Sequence, residues 1–155
     1  MERRANLPKP SMKRSLQVFA PATIANLGPG FDVLGLALSA PGDLLEAELV
    51  DRPGVEIVEI TGDGGLLSRD AQRNVVGRAA ADVLIRARTK GGHDRGVRLW
   101  LHKQMPLASG LGSSGASSAA GAFAVNELLE RPLSQTEAVI FADLGKRRRV
   151  NHLLD

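Results

Sequence analysis

The chain has no cysteine and no tyrosine, and only one tryptophan and four phenylalanines among its 155 residues. Without cysteine there is no disulfide, no thiolate nucleophile and no sulfur-ligated zinc, which suits a reducing compartment. His93, His102 and His152 stand far apart with no HxxxH pairing, so any metal is expected to be magnesium on oxygen. So few aromatics leave little surface on which bases could stack, which argues against a nucleic-acid partner. No apolar run reaches the roughly 20 residues of a membrane span. Residues 1–15 mix Arg, Lys and Pro with no apolar stretch, so neither a secretory signal nor a membrane partner is expected, and a cytoplasmic location is the default.

What is present is ordinary for one globular domain, with 43% hydrophobic and 24% charged residues and a net charge of +3. The positive excess sits at the ends, in Arg3, Arg4, Lys9, Lys13 and Arg14 and again in residues 146–149. Solvated termini explain both clusters; a nucleic-acid contact is the alternative, and it predicts binding that falls steeply with salt. The expected organisation is a flexible basic arm over residues 1–14, a folded domain over 15–145 and a basic tail over 146–155.

Residues 16–21 read as a first strand, followed by a tight, irregular path through Asn26-Leu-Gly-Pro-Gly-Phe31. Residues 44–50 and 55–60 read as strands, and Asp51-Arg52-Pro53-Gly54 between them suggests an antiparallel hairpin. Over residues 74–88 the apolar positions Val75, Val76, Ala79, Val83 and Ile85 fit an amphipathic helix that Gly91 and Gly92 terminate. Val97, Leu99 and Leu101 alternate with Arg98, Trp100 and His102 in a further strand. A helix crowded with Ala, Gly and Ser runs on to Glu130, with Ser113 or Ser114 available to cap it and Pro132 to stop it. Ser134 and Glu137 form a capping box for a last helix reaching about Leu144. The pattern is mixed α/β.

The segment Pro106, Leu107, Ala108, Ser109, Gly110, Leu111, Gly112, Ser113, Ser114, Gly115, Ala116 is a glycine-rich loop between a strand and a helix. Glycines let successive N–H groups converge on an anion, and the helix points its partly positive end at the same place. A small-residue loop kept for close packing is the bland alternative. Gly110, Gly112 and Gly115 also satisfy GxGxxG, but the loop does not follow its strand directly, and Glu127 and Glu130 still lie on the helix, which rules out a dinucleotide fold. Ser113 occupies the place where a Walker loop has lysine.

This loop resembles the PxxxGLGSS phosphate loop of the GHMP kinases, with Gly115 where that family usually has alanine. The stretch from Ala20 to Ala37, APATIANLGPGFDVLGLA, resembles the opening motif of the homoserine kinases within the family. The resemblance implies a two-layer α/β domain, an antiparallel-rich mixed sheet with helices on one face. It also implies MgATP as phosphoryl donor and the side-chain hydroxyl of L-homoserine as acceptor, giving O-phosphohomoserine for threonine synthesis. Backbone from Gly110 to Ser114 would hold the phosphates, and Ser113 or Ser114 would reach magnesium. Asn26 and Asp32 would grip homoserine, with Asp32 the candidate catalytic group. Asn74 and Lys103 fall in segments similar to the adenine side of such sites. Similarity covers residues 16–144, whereas family members are about twice as long and continue into a second, ferredoxin-like domain. An N-terminal half without activity of its own is therefore expected, with self-association through the uncovered face. A kinase for another small alcohol and a non-catalytic ATP-binding module are the competing readings.

Overall fold

The computed structural model describes residues 14–31, 33–92 and 94–147. Apart from Arg14, the expected arm lies outside the described residues. So does the expected tail, apart from residues 146 and 147, which belong to the last helix.

Four strands, β1 (Ser15–Ala25), β2 (Gly35–Val50), β3 (Gly54–Thr61) and β4 (Gly96–His102), form one sheet in the order β1-β2-β4-β3. β2 pairs antiparallel with both β1 and β4, while β3 and β4 are parallel. The hairpin expected between residues 44–50 and 55–60 does not form, because β4 lies between the two strands. Residues 51–54 do reverse the chain, but the reversal spans the width of a strand. Gly96 makes room for it: a Cβ there would strike the carbonyl oxygens of Arg52 and Gly54. Turn composition dictates that the chain reverses, whereas the choice of neighbour comes from burial across the whole sheet.

A parallel pair requires a crossover. α1 (Val75–Thr89) provides it between β3 and β4. Asn74 caps this helix, accepting the Val76 N–H at 3.1 Å. At the other end Gly91 adopts φ +89°, its N–H bonding to Arg88 O and that of Gly92 to Ala87 O, each at 3.0 Å, which is the stop the glycine pair predicts. Val75, Val76, Ala79 and Val83 are buried as expected, but Ile85 is 58% exposed and Leu84 takes the inward place. Successive residues turn about 100° around a helix, which carries position 85 off the apolar stripe.

α2 (Ser113–Leu128) and α3 (Gln135–Arg147) join α1 on one face of the sheet. Leu45, Ala47 and Leu49 of β2 and Val97, Leu99 and Leu101 of β4 are buried beneath them. Each fully buried side chain of valine or leucine size contributes about 1.5–3 kcal/mol. The small residues of α2 serve its contact with α1, where a Cβ on Gly121 would lie 2.6 Å from Val76 O. The capping box forms as predicted, with Glu137 N–H to Ser134 Oγ at 3.3 Å and Ser134 N–H to Glu137 Oε2 at 3.0 Å. On the opposite face of the sheet Arg98 stacks 5.1 Å from the Trp100 ring centre and reaches Glu48 and Glu56 at 3.6 and 3.4 Å.

Candidate nucleotide site

The turn from β4 into α2 opens on a cavity of about 1100 Å³. Its lining includes residues 107–115, Asn74 and Lys103, so most of the predicted nucleotide contacts meet there; Pro106 and Ala116 stand outside the lining. A smaller cleft of about 420 Å³ at the β2–β3 turn is walled by the ion-paired Arg52 and Glu56 and shares none of these residues.

The N-cap of α2 is Gly112, at φ +73°, and no side chain caps the helix. Neither Ser113 nor Ser114 fills the predicted cap, because both already lie inside the helix, and the Ser113 hydroxyl is engaged below the loop. The first-turn N–H groups are thereby left without a side-chain acceptor beside the cavity, and the helix dipole adds partial positive charge there. The glycines are present for different reasons. Gly110 holds φ +77° with nothing within 4 Å of where its Cβ would be, whereas a Cβ on Gly112 would strike Thr23 Oγ1. Gly115 has ordinary helical geometry and open space around it.

Beneath the loop lies a buried polar cluster. Lys103 Nζ pairs with Asp43 Oδ2, both side chains only 1% exposed, and also donates to Ser113 Oγ and, at 3.0 Å, to Ser117 Oγ. Asp43 Oδ1 accepts the N–H groups of Gln104 and Met105 at 2.9 and 3.1 Å, and Ser113 Oγ donates to Asp43 Oδ2 at 3.2 Å. Lys103 thus sits at the serine end of the loop, drawn there by the carboxylate that β2 buries. Asp43 and Ser117 were not legible as site residues. Asp43 lies in the middle of β2, and nothing in the sequence marks it out from Glu46 and Glu48 of the same strand; it is the acid of the three that is buried, next to the pair Leu44 and His102.

The opposite wall is the segment leading into α1. The Asn74 amide is used inside the protein, since its Nδ2 donates to Ser68 O at 2.8 Å while its Oδ1 caps the helix. Its place in the site is therefore to fix Ser68, which lines the cavity. Asp63 shapes the same wall by accepting the N–H groups of Leu67 and Gly65 at 2.8 and 3.2 Å, and the Leu67 bond foremost holds its carboxyl below the usual range. Arg78 of α1, buried and also lining the cavity, is a further residue the sequence did not single out.

The other predicted loop follows β1. Asn26 takes φ +62°, which asparagine tolerates better than most residues, and its N–H bonds to Leu34 O at 3.1 Å. Asp32 lies outside the described residues. Among the described residues of this loop, none from Asn26 to Leu34 is part of the cavity lining. The two loops are joined at Thr23, whose N–H donates to Leu111 O at 2.9 Å.

The family model described as "GHMP kinases N terminal domain" matches residues 74–155, more than half of the chain. The chain belongs to the GHMP kinases. Within that family it is 44% identical over 135 residues to the homoserine kinase of Chlorobium phaeobacteroides (strain BS1), covering 83% of this chain and 42% of that protein. The homoserine kinase of Haloarcula marismortui is 43% identical over 132 residues, covering 84% and 41%. The crystal structure of homoserine kinase from Cytophaga hutchinsonii ATCC 33406 superposes with a TM-score of 0.80 at 46% identity, over 91% of this chain and 44% of that one. A Lactococcus lactis galactokinase complexed with galactose shares the fold at 17% identity, with a TM-score of 0.65 over 90% of this chain and 39% of that one. The chain thus spans less than half the length of these GHMP relatives. Its two-layer arrangement, a mixed sheet with three helices on one face, agrees with the expected architecture.

Proposed function

We propose that this chain is the ATP-binding part of a homoserine kinase, a cytoplasmic enzyme of threonine biosynthesis that transfers the γ-phosphoryl group of MgATP to the side-chain hydroxyl of L-homoserine. The observation that carries the reading is the cavity at the uncapped start of α2, lined by residues 107–115. Phosphoryl transfer asks a protein mainly to align attacking and leaving oxygens and to stabilise phosphate charge. Backbone N–H groups of the loop and of the first turn of α2 do the second task, acting where water is partly excluded. The aliphatic residues Leu66, Leu67 and Val75 provide the wall for the base. Thr23 fixes the first loop against the phosphate loop, so Asn26 and Asp32, which we assign to homoserine, belong to a segment tied to the donor site.

Magnesium fits this donor set as an ion carried in by the nucleotide. Among the described residues no cluster of three or more His, Cys, Asp or Glu could hold a metal by itself, and a serine hydroxyl of the loop supplies a hard oxygen beside the phosphates. When bound, the ion neutralises phosphate charge.

Because the chain spans under half of its relatives, we propose further that these 155 residues bind ATP without transferring phosphate, and that they self-associate through exposed apolar side chains such as Phe19, Leu34 and Leu36. Calorimetric titration with MgATP, followed by homoserine, mevalonate or galactose, tests the reading. ATP binding, with homoserine alone among the three adding heat, is the expected result. A folded protein that binds no ATP overturns the assignment, and phosphate transfer by protein of verified mass overturns the claim of inactivity.

A further inference from the structure

We infer that two copies of this chain pair antiparallel along the outer edge of β1, about a two-fold axis at Gln17, so that their two sheets join into one. The inference rests on the self-association proposed above and adds to it the surface and the register.

The strand order leaves two edges, β1 and β3. β3 is guarded. Its pairing with β4 is irregular between Ile57 and Glu59, Arg69 Nη1 donates to the Val58 carbonyl oxygen at 3.3 Å, and Glu56 and Glu59 would repel a second copy of the same strand. β1 has none of these guards. It pairs with β2 in unbroken register from Ser15 to Pro21, and Ser15, Leu16, Gln17, Val18, Phe19 and Ala20 are all uncharged. Among the described residues no strand lies on its other side.

Which backbone groups face outward follows from the ladder. Antiparallel residues alternate between pairs that exchange hydrogen bonds and pairs that do not. Leu49 N–H donates to Arg14 O at 2.7 Å, so Arg14 bonds toward β2, and in the same register so do Leu16, Val18 and Ala20. Ser15, Gln17 and Phe19 therefore turn their N–H and C=O groups away from β2, to the free edge. The free stretch ends beyond them, because Pro21 has no N–H and the Thr23 N–H is taken by Leu111 O.

A second copy is the occupant that matches this edge. With Gln17 opposite its own counterpart, Ser15 faces Phe19 and Phe19 faces Ser15, so every outward N–H and C=O of these residues finds a partner and no like charges meet. On the helix side Leu16 lies across from Val18, both only partly buried in one copy, and on the other side Phe19, 48% exposed, gains a neighbour. None of these residues lines the nucleotide cavity, so both cavities stay open. Such a contact is isologous and closes at two copies.

The chain has no cysteine, so a single one at 17 reports the register. Cα atoms of such a pair are about 5.5 Å apart, within the roughly 4.4–6.8 Å that a disulfide spans. Ser15 and its counterpart are four residues out of step, more than about 13 Å apart. Mild oxidation of Gln17→Cys is expected to give a covalent dimer that reduction reverses, and Ser15→Cys none. Sedimentation of wild type should show a dimer. Gln17→Lys keeps a partner in Glu46, which Gln17 already meets at 3.1 Å, but sets ammonium against ammonium at the axis. Its dimer dissociation constant should rise about tenfold or more at low salt and recover at high salt, which a mere loss of folding would not do. A monomeric wild type overturns both the inference and the self-association on which it rests. A wild-type dimer whose Gln17→Cys form does not cross-link, or whose Gln17→Lys form associates unchanged at low salt, overturns the β1 edge alone.

Discussion

The buried pair of Asp43 and Lys103 makes a demanding prediction about stability, because its two halves are not equivalent. Removing one partner of a buried ion pair leaves a charge without compensation and costs about 3–5 kcal/mol. Lys103→Met leaves the Asp43 carboxylate with three remaining donors, the N–H groups of Gln104 and Met105 and the Ser113 hydroxyl. Asp43→Ala leaves the ammonium with two serine hydroxyls only, and it also strips both N–H groups of their acceptor; the Gln104 N–H can turn to water, whereas the buried Met105 N–H left unsatisfied adds about 1–3 kcal/mol. Asp43→Ala should therefore be the more damaging by about 1–3 kcal/mol, a large share of the roughly 5–15 kcal/mol typical of a domain. Replacing both residues, as Asp43→Leu with Lys103→Met, should lose less than the two single changes together, with a coupling energy of at least about 1 kcal/mol. Urea unfolding at pH 7 reads all of this through Trp100, the only tryptophan, which lies on β4, the strand that leads into Lys103. If Lys103→Met proves the more harmful, or if Asp43→Ala costs under about 1 kcal/mol, the cluster is not the buried support described here.

Three further outcomes follow from other parts of the molecule. Gly115→Ala should raise thermal stability, by about 0.5–1 kcal/mol, and keep ATP binding, since the site has helical geometry and nothing within 4 Å of the new methyl group; a lower melting temperature would contradict it. Glu130→Gly should also stabilise, by about 1 kcal/mol in denaturant melts, because Glu130 holds φ +63° just past the end of α2, where glycine is unstrained; an unchanged or lower midpoint would count against that reading. The Lys90 hydrogen bond foremost, with those of Ser134, lowers the Glu137 carboxyl from 4.5 to about 2. A carboxyl whose folded value is depressed stabilises above its unfolded value and loses that contribution as pH falls toward the folded one, so stability should decline from about pH 5 to pH 2. That acid slope should be shallower in Glu137→Gln, and equal slopes in the two proteins would refute the assignment.

How far the sequence led depended on the range of the interaction that decides each feature. The end of α1 at Gly91 and Gly92, the capping box at Ser134 and Glu137, and the alternation of Val97, Leu99 and Leu101 are each decided within a few residues, and each is found as read. The glycine-rich turn from β4 into α2 was legible for the same reason: glycines, serines and a helix start are local chemistry. Strand order was not, because residues 51–54 specify a reversal whatever strand lies between its arms, and it takes Gly96, far along the chain, to admit β4. Lys103 shows how this limit reaches the site itself. Its place in the sequence, just before the loop, does not say where its side chain goes: its charge had to be neutralised once buried, and the carboxylate able to do so lies 60 residues away on β2. Asp43 in turn binds the backbone of Gln104 and Met105, so the residue that captures Lys103 also sets where the glycine-rich loop begins. Two glycines of one motif then divide the remaining work: Gly110 keeps open space at the cavity, while Gly112 lets Thr23 close against α2. It follows that a bulky residue at 112 acts first on the joint between the two loops, and that Gly110 is the position where an added side chain tests the proposed phosphate contact itself.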